Sequence, residues 1–482
     1  MKNLLLVFFS IICAFSFSQG AFFRVYSSLG SDKAEGIVQL QDSSFVVTGS
    51  SSSFYDGPSQ AFLLKLDPEG NYLWSKDFGG PESESGRRVL YQENFGFFVC
   101  GLTNSFGYGG FDFYLVKVDE NANVEWEKSY GGEGWERVND AALVSDSGVL
   151  MVGTVSSSGF EGENMFMVRV DKNGDTLWTR EMGGSGLDFL SSVQAMDDST
   201  FLLGGVIYNS DSLMTKGYLS RIHEDGTVLW EKQLGVNGDY QINDVCIRQN
   251  QIIAVGKRFD TAEDSDSHYF GCDMDGNMLY QAFYPGQTGN EGFEHVTTFG
   301  DSSDVYAVIM YENAWSSPNG TDFSIIRYSV PFNVQYDYTV YHDNPDQPED
   351  LIRTHDGGVA IVGFATGAFV GGNDALVIKI GPNDSVPILD SWVGDIVAVS
   401  DQPTLDKFLL YPNPSSSSLM IQNADNSYTQ LRVYDLFGNL VRSENYCDGK
   451  VLNTTHLMNG TYIVELSSAS KSSQHHKLVV QH

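Results

Sequence analysis

The chain has few basic residues, few cysteines and one apolar run of any length. Its 28 lysines and arginines face 62 aspartates and glutamates, so the formal net charge is -34 at pH 7. Because phosphate contacts require Lys and Arg, this imbalance argues against binding nucleic acid or an anionic membrane. Five cysteines scattered over 482 residues form no disulfide framework, and we interpret Cys100, Cys246, Cys272 and Cys447 as small apolar side chains.

The common catalytic motifs are missing too. The sequence contains no HExxH, GxSxG or P-loop pattern and no Cys/His pair at metal-ligand spacing. We therefore predict a protein that is not an enzyme and has no cofactor. A secreted polysaccharide lyase or glycoside hydrolase is the alternative, and the adjacent His268 and Tyr269 are the kind of pair that a lyase would use.

The single apolar run follows Lys2 and extends from Leu4 to Phe17. Such a run, preceded by a positive charge and followed by small polar residues, is typical of a secretory signal peptide, and it is too short to span a membrane. We predict a signal peptide over residues 1–20, an exported mature protein and no transmembrane segment.

A repeat dominates the next 370 residues. Trp74, Trp126, Trp178 and Trp230 recur every 52 residues in copies of one motif, such as "NGDTLWTREMGG". Tyr280, Tyr336 and Ile388 continue the series, and Phe22 precedes it by one period, so the region contains seven units. Each unit shows four short alternating or apolar segments separated by tight-turn sequences, and no sustained helical period. Residues 21–392 are therefore predicted to form an all-β, seven-bladed propeller of four-stranded blades.

Loop lengths orient the blades. Tight and long connections alternate within each unit, so all long loops are expected on one face, which is the preferred face for a ligand. The tryptophan strand is predicted to be the outermost strand, with its aromatic side chain filling the space between blades. Either the N-terminal strand or the segment around Ile388 closes the ring, and we favour the N-terminal strand.

The composition changes at the C-terminus. From Thr404 onward the chain has six basic and six acidic residues, so all of the net charge precedes this point. Residues 393–404 are interpreted as a linker and residues 405–482 as a small Ig-like β-sandwich. Several motifs occur there in order: "YPNP" (Tyr411, Pro412, Asn413, Pro414), the Leu419/Ile421 pair, "VYDLFGNLV" with Asp435 and Gly438, the Leu457/Gly460/Tyr462 turn and strand, and Lys477.

These motifs resemble the C-terminal sorting domain of proteins exported by the type IX secretion system of Bacteroidetes. The resemblance covers nearly all of residues 404–482, with a small departure at the final His482. It implies that this domain is recognised by the type IX secretion machinery and removed during export. The mature protein would then be released or attached to the cell surface.

Two sets of residues in the propeller are candidates for binding. The first is a ring of acidic residues in the long loop before the second strand of each unit. Such a ring could hold Ca²⁺ or repel anions, or each side chain could simply accept backbone N–H bonds from its own turn. Its members are Glu35, Glu84, Glu136, Asp188, Asp239, Glu291 and Glu349. The second set combines aromatic, acidic and histidine residues where the repeat is irregular, chiefly in units five and six: Trp135, Tyr269, Glu291, His295, Tyr311, Trp315 and Tyr341.

The sequence thus favours an exported propeller that binds or displays a glycan or a surface protein through its long-loop face. Besides the enzyme alternative, a purely structural surface-layer component is a third interpretation, in which the acidity serves solubility.

Overall fold

Within the residues that it describes, the computed structural model contains only β-strands and one short 3-10 helix, Pro382–Asp384. It describes residues 20–26, 30–53, 58–156, 162–184, 186–261, 264–284, 290–298, 304–312, 321–329, 333–340, 345–367, 372–384, 409–411, 415–422, 428–434, 440–447, 450–468, 474–480 and 482. The predicted signal peptide and linker lie outside these residues, apart from Gly20.

Seven antiparallel four-stranded sheets form the predicted propeller blades. Blade 1 consists of β2 (Asp32–Gln39), β3 (Phe45–Ser51), β4 (Gln60–Leu66) and β5 (Tyr72–Phe78). Blade 2 consists of β6 (Glu84–Gln92), β7 (Gly96–Thr103), β8 (Asp112–Val118) and β9 (Val124–Tyr130). Blade 3 consists of β10 (Trp135–Leu143), β11 (Val149–Ser156), β12 (Asn164–Val170) and β13 (Thr176–Met182). Blade 4 consists of β14 (Phe189–Ala195), β15 (Thr200–Asn209), β16 (Met214–His223) and β17 (Val228–Leu234). Blade 5 consists of β18 (Asp239–Arg248), β19 (Gln251–Thr261), β20 (Asp264–Cys272) and β21 (Met278–Phe283). Blade 6 consists of β22 (Asn290–Thr298), β23 (Asp304–Glu312), β24 (Thr321–Ser329) and β25 (Asn333–Val340). Blade 7 consists of β26 (Asp346–Arg353), β27 (Val359–Thr366), β28 (Asn373–Ile380) and the N-terminal strand β1 (Phe22–Tyr26).

The N-terminal strand closes the ring, as favoured from the sequence. β1 pairs antiparallel with β28 and becomes the outermost strand of blade 7, with Phe22 opposite Lys379 and Tyr26 opposite Ala375. The first and last strands of the propeller therefore share one sheet, and β28 is not left as an open edge.

The core is divided between the blades. Seven clusters of buried apolar side chains each draw on two neighbouring blades. Cys100, Cys246 and Cys272 are buried in such clusters, Cys447 is exposed, and all four are free thiols. Cys246 and Cys272 belong to different clusters.

The repeated tryptophans lie on the outermost strands and contact the following blade. Each approaches the residue of positive φ in that blade's tight Asp turn. A Cβ on Gly174, where φ is +75°, would lie 2.7 Å from the Trp126 ring. Trp178 faces Gly226 in the same way, and its indole N–H donates to the Glu224 carbonyl at 3.0 Å. The aromatic period of the sequence thus reflects contacts between blades.

Replacing Trp126 by Ala should lower the free energy of unfolding by about 3 kcal/mol, because it removes a large aromatic contact between blades 2 and 3. Chemical denaturation would measure this loss. Trp135→Ala is the matched control, since that side chain is 56% exposed and its removal should cost no more than about 0.5 kcal/mol. Equal losses in the two variants would contradict the assignment of Trp126 to blade packing.

The C-terminal region forms a separate two-sheet structure. One sheet contains β29 (Leu409–Tyr411), β30 (Ser418–Gln422) and β33 (Lys450–Asn453). The other contains β31 (Gln430–Tyr434), β32 (Leu440–Asn445), β34 (Gly460–Ser467) and β35 (Gln474–Val480). The two sheets enclose their own apolar cluster, which includes Leu431, Val433 and Val464. The predicted β-sandwich is therefore present.

Candidate functional site: the long-loop face

The long loops meet at one end of the propeller. In blades 1 and 2, the connection between the second and third strands contacts segments that lead into inner strands. Backbone bonds join Ser52 to Ser31 at 3.0 Å, Asn104 to Ser83 at 2.9 Å and Gly110 to Gly134 at 2.9 Å. We call the surface formed by these two sets of loops the long-loop face.

Trp135 is the largest exposed apolar side chain that the structure describes on this face. It opens β10, and it rests against the backbone of Gly110, where a Cβ would lie 2.6 Å from the indole. Phe111 supports it edge-to-face, with ring centroids 5.5 Å apart. The indole is thus held by the fold while 56% of the residue is exposed to solvent. A supported aromatic ring of this kind binds other flat apolar surfaces at a low cost in conformational entropy.

Further exposed apolar residues extend this surface across neighbouring blades. Tyr108 is 75% exposed in the loop that contacts Trp135, and Leu187, just before β14, is 44% exposed. Leu187 precedes Asp188 as Trp135 precedes Glu136, and four other blades have Ser31, Ser83, Asp239 or Asn290 at this position. Tyr108 and Leu187 were not predicted from the sequence, although two adjacent units, with Trp135 and Leu187, have an apolar residue where most of the others have a polar one.

The residues predicted in units five and six are less accessible. Tyr269 is completely buried and packs against Tyr280 and Tyr328, so it cannot contact a ligand on the long-loop face. His268 is also buried and stacks on Phe283 with ring centroids 4.5 Å apart. Since successive residues of β20 point to opposite faces of the sheet, His268 and Tyr269 cannot act as a pair.

The other members of that set have different positions. Glu291 is 3% exposed at the start of β22. His295 lies at the bulge of the same strand, near the propeller axis. Tyr311 belongs to β23, opposite Glu291. Trp315 and Tyr341 lie outside the described residues.

The seven acidic residues predicted as a ring do not share one position. Glu84, Glu136, Asp188 and Glu291 occupy equivalent positions at the start of the inner strands, four residues before the end of each bulge. In blades 1, 5 and 7 this position holds Asp32, Tyr240 and Asp346. Glu35 and Glu349 lie three residues further along, in the bulges, and Asp239 lies one residue earlier.

In blades 2, 3 and 4, the carboxylates at the shared position, Glu84, Glu136 and Asp188, accept hydrogen bonds from their own loops. Glu84 accepts from the Gly80 N–H at 2.9 Å and the Thr103 hydroxyl at 2.8 Å, and Asp188 accepts from the Gly184 N–H at 2.7 Å. Among the described residues, no group of three His, Cys, Asp or Glu side chains has the arrangement of a metal site. Calcium binding by the predicted ring therefore has no geometric support there.

The bulges of the inner strands bring charged residues to the axis. Arg88 of blade 2 contacts Asp140 of blade 3, with an Nε–Oδ1 distance of 2.6 Å, and also reaches Asp350 of blade 7. Arg87 pairs with Glu35 of blade 1 at 2.8 Å and Glu349 of blade 7 at 3.3 Å. Because blade 1 separates blades 2 and 7, these two arginines extend across the centre of the ring.

Three aspartates on the inner strands of blades 3, 5 and 7 each accept a hydrogen bond from the next blade. Asp140 accepts a hydrogen bond from the Val193 N–H at 2.8 Å and Asp244 from the Val296 N–H at 2.9 Å. Asp350 accepts from the Ile37 N–H at 3.0 Å. Each bond links one inner strand to the next blade, so the axial charges serve the assembly of the ring.

Burial changes the protonation of these axial groups. It raises the pKa of Asp244 to about 7 and lowers the pKa of His295 to about 4. The two side chains are 3.9 Å apart. Burial opposes the charge of Arg88, but Asp140 and Asp350 outweigh it and raise its pKa well above the usual value. Near neutral pH, His295 is therefore uncharged and Arg88 remains charged.

In the C-terminal domain, Tyr462 is 7% exposed and its hydroxyl donates to the Met458 carbonyl at 3.0 Å. Gly460 opens β34, and the backbones of Tyr411 and Lys477 lie in β29 and β35. The ring nitrogens of His482 lie 2.6 and 2.9 Å from the Ser416 and Leu457 carbonyls. Outside the described residues lie the other predicted sorting residues, Pro412, Asn413, Pro414, Asp435 and Gly438.

Sheet order and closure define residues 22–380 as a seven-bladed β-propeller. The solved structures that are similar to this chain include other propellers. The Pan2 WD40 domain of Neurospora crassa is 12% identical, with a TM-score of 0.45, and the match covers 75% of this chain and 100% of that domain. The propeller domain of the Trilobed protease of Pyrococcus furiosus is 10% identical, with a TM-score of 0.42, over 78% of this chain and 100% of that domain.

The C-terminal part has a defined family. Residues 409–481 match the secretion system C-terminal sorting domain, which confirms the resemblance noted in the sequence. The chain is thus an exported propeller protein with a type IX sorting domain. None of the curated proteins matches it. Within the described residues, no helix is long and apolar enough to cross a membrane.

Proposed function

We propose that this exported propeller binds a neutral glycan on its long-loop face, at the surface formed by Tyr108, Trp135 and Leu187. The observation that carries the proposal is Trp135, whose indole is braced by Gly110 and Phe111 while more than half of the residue remains open to solvent. Aromatic rings stack on the apolar faces of pyranoses, and neighbouring polar groups orient the sugar.

Charge supports a neutral ligand. The formal net charge of -34 creates a negative field that repels uronate-rich and sulfated polysaccharides at low ionic strength. Lys and Arg are scarce, and Arg87 and Arg88 are already paired with carboxylates at the axis. A glycan without charge carries no such penalty and can use the aromatic surface directly.

The proposal is tested with the chain that follows the predicted signal peptide, residues 21–482, on an array of neutral and acidic polysaccharides. We expect binding to neutral glycans and at least a tenfold weaker affinity in Trp135→Ala and Leu187→Ser. Leu177→Ser is the matched control, because Leu177 is 56% exposed but lies on the outermost strand β13, away from the long-loop face.

Three outcomes are informative. Binding that survives Trp135→Ala would place the glycan elsewhere. Turnover of a bound glycan would replace the binding function by the lyase or hydrolase alternative. An array without any binding would overturn the glycan proposal and direct the search to surface proteins.

A further inference from the structure

The two loops that carry the aromatic surface are each anchored by a buried carboxyl group. The loop between β7 and β8 contains Tyr108, whose backbone N–H donates to Asp112 Oδ2 at 3.0 Å. The loop between β9 and β10 precedes Trp135, and its Gly132 N–H donates to Glu136 Oε2 at 3.2 Å. Asp112 and Glu136 therefore anchor the backbones of the two loops by hydrogen bonds on the buried side of the loops.

These two carboxyl groups meet beneath Gly131. A Cβ on that glycine would lie 1.9 Å from Asp112 Oδ1 and 2.4 Å from Glu136 Oε2, so only glycine leaves room for both. The residues are 1% and 3% exposed, and Asp112 Oδ1 has no hydrogen-bond partner among the described residues. Two ionised carboxylates have no hydrogen to donate, so a hydrogen bond between these converging groups requires a proton that they share.

Neighbouring blade junctions have the same geometry with different chemistry. Gln60 and Glu84 converge where a Cβ on Gly79 would lie, at 2.5 and 2.3 Å, and Asn164 and Asp188 converge at Gly183, at 2.5 and 2.7 Å. In both of these junctions the first partner is an amide, which does not titrate. The junction that carries Tyr108 and Trp135 instead has an acid, Asp112, at this position.

We propose that Asp112 and Glu136 share one proton, and that this proton holds together the two loops presenting Tyr108 and Trp135. The loop pair is then well ordered when the proton is bound. When it is lost, two buried carboxylates repel each other and the loops separate. This inference rests on the proposed function only for the identity of the ligand on the long-loop face. The shared proton and the separation of the loops do not depend on that ligand.

The surroundings favour retention of the proton. Burial is the main cause that raises the pKa of both Asp112 and Glu136 above the usual carboxyl range, and the charge of Glu181 from β13 raises that of Glu136 further. Glu181 itself accepts a hydrogen bond from Asn164 on β12 at 2.7 Å. Glu133 lies in the second loop, where its backbone contacts Gly109. Throughout the described part of the chain, no Lys or Arg forms a salt bridge with Asp112 or Glu136.

The raised pKa values of Asp112 and Glu136 determine how the stability of the folded protein changes with pH. Both pKa values are raised in the folded protein, so the folded state binds more protons than the unfolded chain. The contribution of the pair to stability is fully present below the ordinary carboxyl pKa. It is lost as the pH rises through the folded values.

The test follows the accessibility of Trp135 without any ligand. Acrylamide quenching is measured from pH 5 to pH 9 in residues 21–482, and the signal of Trp135 is obtained by subtracting that of Trp135→Phe. We expect the quenching constant to rise at least twofold with pH. In Asp112→Asn it should stay at the acid value, because the amide donates the hydrogen bond at every pH.

A reciprocal variant serves as the control. Asn164→Asp creates an acid pair with Asp188 at the next junction, and it should add a fall in thermal midpoint at high pH that the wild type lacks. Should Asp112→Asn fail to fold, as judged by circular dichroism, Glu136→Gln replaces it. Quenching that does not change with pH, or a pH response that persists in Asp112→Asn, would overturn the proposal. Neither result depends on glycan binding, so the two proposals can fail separately.

Discussion

Deleting residues 409–482 is expected to abolish export and to leave a folded propeller inside the cell envelope. The deleted part contains its own apolar cluster of buried residues, separate from the seven clusters between blades. It also contains the whole region that matches the sorting family. Immunoblots of the medium, the cell surface and the periplasm would locate the truncated protein.

Point variants test whether export requires the sorting domain to be folded as well as present. Val464→Asp places a charge in the centre of that domain, where Val464 is completely buried, and should block export as deletion does. Leu440→Asp is the control, because Leu440 is 55% exposed in the same domain and should tolerate the same change. Fusion of residues 405–482 to an unrelated periplasmic reporter should export that reporter. Normal export of the truncated chain would contradict the role of the domain.

Replacing Val25 by Asp should open the propeller. Val25 lies in the closing strand β1, is completely buried and packs with side chains of blades 6 and 7. A carboxylate there would have to lose its hydration or expel β1 from β28, which should cost more than about 4 kcal/mol. We expect a large drop in the denaturation midpoint and, by gel filtration, an expanded or aggregated protein.

The matched control makes the same change at an exposed strand position. Leu177→Asp alters an outermost strand, β13, but at a residue that is 56% exposed. It should shift stability by no more than about 0.5 kcal/mol. A Val25→Asp protein as stable as Leu177→Asp would show that the ring does not depend on closure by β1.

The spacing of aromatic residues was sufficient to predict the blades and the outermost strands. Trp74 and its equivalents keep a period of 52 because each must reach the same turn in the next blade. The closing strand could be favoured because Phe22 falls one period before Trp74. Packing between identical units is therefore readable from a single sequence.

The positions of the acidic residues could not be predicted in the same way. A β-bulge inserts one residue into each inner strand, between Ala34 and Gly36 in blade 1, for example. Glu35 therefore lies in the bulge, and Asp32 takes the position that Glu84 has in blade 2. Because side chains alternate along a strand, a small error in register changes the environment of every later residue.

The exposure of aromatic residues in units five and six also depended on tertiary structure. Tyr269 follows a polar segment that reads as a surface loop, yet β20 begins at Asp264 and passes between two neighbouring blades. Trp135, by contrast, lies at the very start of a strand, where the blade no longer covers it. Composition alone does not distinguish these two situations.

Closure by β1 also sets the order in which the protein can complete its fold. Residues 22–26 are synthesised before every other strand of the propeller, but their partner β28 ends only at Ile380. Contacts this distant in sequence form slowly, since the intervening chain must first be organised. The first strand therefore remains unpaired while six blades assemble, and during that interval it is free to pair with β28 of another molecule. Dilute conditions during export would favour closure within one chain over such strand exchange.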